Sequence, residues 1–161
     1  MRLTLAVLFV GIAGVCGASA SELPKGWRLP SDAELSDAWR HGEARNAVAK
    51  GDFNGDGAPD VACLAVRTDG MQQGLLAFVS DSSETGRWHV LDRFELSGSV
   101  FMGLDLVRPG KVEVCAPDGC DGPKTSLVIW HDAFRYYRPE SAASIYVFAS
   151  TGEFERHWES D

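Results

Sequence analysis

The residues best suited to chemistry are the oxygen-bearing side chains of Asp52-Phe53-Asn54-Gly55-Asp56-Gly57-Ala58-Pro59-Asp60. Asp52, Asn54, Asp56 and Asp60 stand at relative positions one, three, five and nine, with glycine at position six, where a tight loop must turn. Alternate residues of such a loop can point inward together. A hard cation such as calcium takes six to eight oxygen ligands, so this spacing reads as a metal loop. Its expected ligands are the side chains of Asp52, Asn54, Asp56 and Asp60 and the carbonyl of Ala58. A plain hairpin turn would also use Asn-Gly-Asp-Gly, because these residues tolerate positive φ. A turn alone does not need acids at positions one and nine, and three carboxylates in nine residues repel each other without a cation.

An EF-hand would carry glutamate at position twelve and continue into a helix. Here position twelve is Cys63, and Val61-Ala62-Cys63-Leu64-Ala65-Val66 reads as a buried strand. The loop is therefore expected between two strands. Gly51-Asp52-Phe53-Asn54-Gly55-Asp56-Gly57 followed by Asp60-Val61-Ala62 resembles the core of the FG-GAP/VCBS repeats of β-propellers and of exported bacterial proteins. The resemblance implies calcium and a β scaffold, and it covers only this stretch. The motif occurs once. A propeller needs several four-stranded blades, so a full propeller is not expected.

No other pattern points to catalysis. There is no Gly-x-Ser-x-Gly elbow, phosphate loop or dinucleotide fingerprint. His41, His89, His131 and His157 are scattered, and His131-Asp132 is the one histidine beside an acid. Glu140 and Glu153 could act as a carboxylate pair only if the fold joined them. The stretch 130–138 is rich in aromatics and arginine, the residues favoured at binding hot spots. Trp130, Arg135, Tyr136, Tyr137 and Arg138 are its candidate partner-binding residues, although a buried sheet edge would use the same types.

The 161 residues suit one β domain over 45–161. Residues 1–20 read as a signal peptide: Arg2, an apolar run over 3–15, then Ala18-Ser19-Ala20 for cleavage. Lipidation at Cys16 is the alternative reading of the leader. Export places the chain in the periplasm or outside the cell, with no membrane association after cleavage. The formal net charge of -8 argues against nucleic acid and anionic membranes, whose binding needs a basic surface. It would favour a basic protein partner.

Cys115 and Cys120 bracket the turn-rich Ala116-Pro117-Asp118-Gly119, so they are expected to form a disulfide. Closing so short a loop contributes about 2 kcal/mol in the chain-entropy model. Cys63, inside an apolar strand, is expected to remain a thiol.

Residues 21–44 should hold an extended segment and one short α-helix. Ser31-Asp32-Ala33-Glu34 spells a capping box, Leu35, Ala38 and Trp39 follow at helical spacing, and Gly42 ends the pattern. Trp27 and Trp39 read as packing residues. Beyond them the pattern is β, with runs at 47–50, 61–67, 74–80, 88–94, 100–107, 111–115, 125–130, 145–149 and 154–158. In 88–94, Trp88, Val90, Asp92 and Phe94 are expected on one face. The fold class is all-β, a mainly antiparallel sheet or sandwich. The expected function is non-catalytic binding of another macromolecule. The nearest variant is a periplasmic inhibitor or immunity protein of a cell-wall hydrolase. The competing class is an enzyme whose site assembles only in three dimensions.

Overall fold

The computed structural model describes residues 22–37, 47–81, 86–96, 98–100 and 102–160. The leader and Cys16, and the helical positions Ala38, Trp39 and Gly42, lie outside the described residues.

Long runs of β-branched and apolar residues punctuated by Gly, Pro and Asp produce eleven strands among the described residues. Five form the first sheet: β1 (Trp27–Arg28), β2 (Val48–Gly51), β3 (Asp60–Arg67), β4 (Gln72–Ser80) and β5 (Gly86–Glu95). β3 lies at its centre, pairing antiparallel with β4 on one edge and with both β1 and β2 on the other. The second sheet has the order β11-β10-β9-β6, from β6 (Gly103–Val107), β9 (Ala133–Tyr137), β10 (Ala143–Phe148) and β11 (Phe154–Ser160). A separate hairpin joins β7 (Gly110–Val114) to β8 (Thr125–Ile129). All the pairings are antiparallel.

The period of two along each strand decides the layers. Ala62, Leu64 and Val66 of β3, with Leu75 and Ala77 of β4, meet Leu104, Phe134, Tyr136 and Tyr146 of the second sheet in the main core. The opposite face of β3 and β4 buries Cys63, Ala65 and Leu76 under Trp27. The far face of the second sheet buries Val107, Ala133 and Ile145 against Ile129 and Leu127 of the hairpin. β3 is thus covered on both faces, which is why its sequence is continuously apolar rather than alternating. Each fully buried large side chain contributes about 2 kcal/mol of transfer free energy.

Four expectations change. The capping residues do interact, since Glu34 accepts from the Ser31 N–H at 2.9 Å and from its hydroxyl at 2.8 Å. They open a 3-10 turn over Asp32–Glu34, after which Leu35 turns extended and bridges to Val100, so that helical structure resumes only at Asp37, at the limit of the described residues. The run at 100–107 begins its strand at Gly103. A bulge pairs Leu75 with Asp92 but Leu76 with Val90, so Trp88, Val90 and Phe94 do not share a face. Trp88 and Val90 pack beside Trp27, whereas Phe94 stacks on Tyr136 at 6.3 Å. Residues 133–137, outside the expected strand runs, form a strand in the middle of the second sheet rather than at its edge.

Cys115 and Cys120 form the expected disulfide, with Cα atoms 4.6 Å apart. Cys63 is a buried thiol.

Candidate functional site

The acid loop connects β2 to β3, as its flanking sequences require. Gly55 and Gly57 have φ of 76° and 86°, the left-handed region that other residues resist. These turns aim successive N–H groups at the loop's own acids. Asp52 Oδ1 accepts from Gly55 at 2.8 Å and Asp56 at 3.1 Å, while its Oδ2 accepts from Gly57 at 2.9 Å. Asn54 Oδ1 accepts from the Asp56 N–H, and Asp56 Oδ1 from the Ala58 N–H. The loop is held in one shape by its own side chains.

Asp60 does something different from Asp52, Asn54 and Asp56. It is fully buried. Its Oδ2 accepts from the N–H groups of Phe53 at 2.7 Å and Asn54 at 3.4 Å. Its Oδ1 accepts from the Ser80 N–H at 2.8 Å and the Ser80 hydroxyl at 3.0 Å. Burial pushes its carboxyl above the usual range, and the four donors oppose that shift. A carboxylate has about four acceptor positions, and here all are used. Asp60 therefore works as a latch that fastens both the loop and the end of β4 to the start of β3. Asp52, Asn54, Asp56 and the Ala58 carbonyl remain an all-oxygen donor set of the kind a hard cation takes. Among the described residues, no three His, Cys, Asp or Glu side chains are gathered as a metal site.

The turn after β8 clamps the loop from outside. Asp132 donates its N–H to the Asp52 carbonyl at 3.1 Å and accepts the Asp52 N–H on Oδ2 at 3.2 Å. Arg108 pairs with the same carboxylate at 3.1 Å. His131 lies directly over Gly55, so close that a side chain there would meet the imidazole. The His131-Asp132 pair thus has a positioning task. Glu140 and Glu153 stand at opposite ends of β10, so they form no carboxylate pair.

The segment 130–138 divides. Tyr136 is buried at the centre of the inter-sheet core, so it cannot touch a partner. Arg135 makes a two-pronged ion pair with Glu159, one contact at 2.8 Å. Tyr137 lies across Gly103 on the neighbouring strand, where the missing side chain leaves it room. Arg138 continues the chain past β9, where its N–H donates to the Ala142 carbonyl at 2.8 Å. Trp130 is the exposed aromatic of the five, at 78%, and Arg138 is exposed as well.

Trp130 borders a cavity of about 630 Å³ whose walls include Asn54, Val128, His131, Phe148, Glu155 and His157. A second cavity, about 770 Å³, lies under the disulfide loop beside Arg156 and Trp158. Both touch Leu127 and His157. Trp158 is held there by Arg156, whose guanidinium sits 3.8 Å from the ring centre. Arg156 also bonds Ser144 and Asp92, tying β11 to β10 and to β5.

Sequence reasoning missed a third cluster, because its members come from β5 and the β10–β11 turn. His89 is buried, edge-on to Phe148 and Phe154. Arg87 Nε–H donates to its Nε2 at 3.1 Å. Arginine cannot accept, so Nδ1 carries the proton and donates to Glu153 at 3.2 Å. Burial first, and then the Arg87 charge, lower the imidazole's affinity for a proton, with Glu153 opposing. The folded chain therefore binds this proton less readily than the unfolded chain. The stability from neutral His89 is complete above about pH 6.5, the unfolded value, and is lost as pH falls through the folded value. The melting temperature should drop as pH falls below about 6.5, and His89→Gln should flatten that slope. Equal slopes in both proteins would refute this role.

Neither a family model, nor a curated protein, nor a solved structure matches the chain. Among the described residues no helix is long and apolar enough to cross a membrane.

Proposed function

We propose that this chain is an exported, non-catalytic binding domain of the periplasm or cell exterior. Its partner is a basic protein, and a cell-wall hydrolase that it blocks is the class that fits best. The observation that carries this reading is Trp130, an exposed indole at the border of one cavity, with Trp158 lining a second cavity that shares Leu127 and His157 with it. Exposed tryptophan beside a partly apolar groove is the usual composition of a binding anchor. The acidic balance supports a basic partner, and the disulfide accords with an oxidising compartment. The acids and histidines best placed for catalysis are occupied in structural pairs: Asp132 with Arg108, Glu153 with Arg87, and His89 with both Arg87 and Glu153.

In the same reading the acid loop is of the FG-GAP/VCBS type. It takes calcium on Asp52, Asn54, Asp56 and the Ala58 carbonyl, while Asp60 keeps its latch. The ion would neutralise crowded carboxylates and stiffen the loop beneath His131.

The test uses immobilised mature protein and an extracytoplasmic extract. A basic protein should be captured at low salt and released as salt rises. Trp130→Ala should reduce capture at least about tenfold while leaving the melting temperature unchanged. Capture that ignores both salt and Trp130 would remove the proposed face. Calcium should raise the melting temperature by linkage, and Asp52→Ala or Asp56→Ala should abolish the rise.

A further inference from the structure

We propose that the cavity bordered by Trp130 takes an arginine side chain of the basic partner, its guanidinium set on the Trp130 indole and paired with the Glu155 carboxylate. This rests on the reading above, that the chain binds a basic protein, and names the group which that protein inserts.

The first observation is an indole without a cover. Among the described residues, the other tryptophans have ring partners. The Arg67 guanidinium lies 5.3 Å from the ring centre of Trp27, that of Arg156 lies 3.8 Å from Trp158, and the Phe78 ring lies 5.4 Å from Trp88. Trp130 carries neither a ring nor a cation among the described residues, and it is 78% exposed. The indole face attracts a guanidinium more strongly than the other aromatic faces do. The chain uses that contact twice within itself and leaves a third indole open.

The second observation is a carboxylate without a strong cation, lining the same cavity of about 630 Å³. Among the described residues of its wall, Glu155 is the one carboxylate, and no lysine or arginine stands there. Arg156, next in sequence, points to the opposite face of β11, where it bonds Ser144 and Asp92. Glu155 is left with His157, whose Nε2 lies 3.8 Å away, and its side chain is 62% exposed. By contrast Glu34, Asp92, Asp132, Glu153 and Glu159 each contact an arginine. Val147 and Phe148 add apolar wall on which a methylene stem can lie.

The two vacancies select the occupant together. A net charge of -8 draws any cation toward the chain, but it does not choose a place. A planar guanidinium can lie on an indole and still give two parallel N–H bonds to a carboxylate. Arg28 already gives such a pair to Glu34, at 2.7 and 2.6 Å. A lysine ammonium is a compact charge with no plane to stack, so it satisfies one vacancy less well.

The test is a magnetic-resonance titration of the mature chain at fixed ionic strength. Its probes are the α-acetylated amides of arginine, lysine and citrulline, and choline. Citrulline keeps the shape of arginine without its charge. The indole N–H signal that vanishes in Trp130→Phe is the one to follow. Arginine amide should shift it saturably at millimolar concentration, lysine amide and choline more weakly, and citrulline amide not at all. Glu155→Gln should weaken the arginine response about threefold to fivefold. Glu113→Gln, the same charge change at an exposed site on β7 away from the cavity, should leave it unchanged. An equal response to citrulline overturns the proposal, as does an equal or stronger response to lysine or choline. So does an arginine response that ignores Glu155→Gln or falls as much with Glu113→Gln. Capture of a basic protein through Trp130 without an arginine response defeats this proposal and leaves the binding reading standing. An arginine response that needs Glu155, without capture of any basic protein, supports the cavity's preference and defeats the binding reading instead.

Discussion

Asp60→Ala should lower stability by about 4 kcal/mol, with or without calcium. The substitution leaves two backbone N–H groups of the loop, the Ser80 N–H and the Ser80 hydroxyl without their acceptor. Each buried donor left unmatched costs about 1–3 kcal/mol, and relaxation recovers part of the sum. For a chain of this size the melting temperature should fall on the order of 10 °C. Asp52→Ala should behave differently. Its carboxylate is only partly buried, so most of its effect should depend on calcium. Thermal melts of both variants in chelator and in calcium separate the roles. If Asp60→Ala matched Asp52→Ala, with the loss confined to calcium, Asp60 would be a ligand rather than a latch.

Tyr136→Ala should be comparably damaging, at about 4 kcal/mol. Tyr136 lies between Phe94, stacked at 6.3 Å, and Tyr146, edge-on at 6.3 Å, with the Arg156 guanidinium 6.0 Å away. Burial raises its phenol far above the ordinary tyrosine value, so it stays neutral at working pH. Removing the ring opens a cavity where the two sheets meet, and neighbours on paired strands cannot close it. Denaturant titration should show an earlier midpoint with the slope unchanged. A binding assay on this variant would report unfolding, so Trp130→Ala is the variant for the interface. A stability loss under about 1 kcal/mol for Tyr136→Ala would mean that the sheets do not pack through this ring.

These two residues also mark where the sequence is readable and where it is not. The loop and its place between strands were legible, because the spacing of Asp52, Asn54, Gly55, Asp56 and Gly57 constrains the local backbone. The part played by Asp60 was not. A carboxylate at position nine can turn outward to a cation or inward to amides, and the choice rests on Ser80, twenty residues further on. The disulfide was legible because the four residues of the turn between them, Ala116 to Gly119, leave the two cysteines few other geometries. β9 was obscured by its composition. Phe134 and Tyr136 alternate with Arg135, a strand signal, but the dense aromatics and arginines also fit a contact surface. The β5 bulge left no mark, because Leu91 and Val90 are equally apolar and only pairing with β4 decides which faces which core. His89 was invisible as a site because its partners Arg87 and Glu153 come from different sheets.

Each of the two larger sheets draws its strands from one half of the chain, with the β7–β8 hairpin inserted between β6 and β9 of the second. The first uses residues 27–95 and the second 103–160. Synthesis from the N-terminus therefore completes the first sheet while the second is still missing. At ordinary elongation rates that interval lasts several seconds, about the time for some 60 residues. Leu64, Val66, Leu75 and Ala77 stand bare for that time, since their cover arrives with Phe134 and Tyr136. The acid loop waits as well, because its outer clamp is Asp132. The nascent chain thus passes through a stage with a finished latch, an unclamped loop and an uncovered apolar face. A holdase chaperone would find its target during that stage.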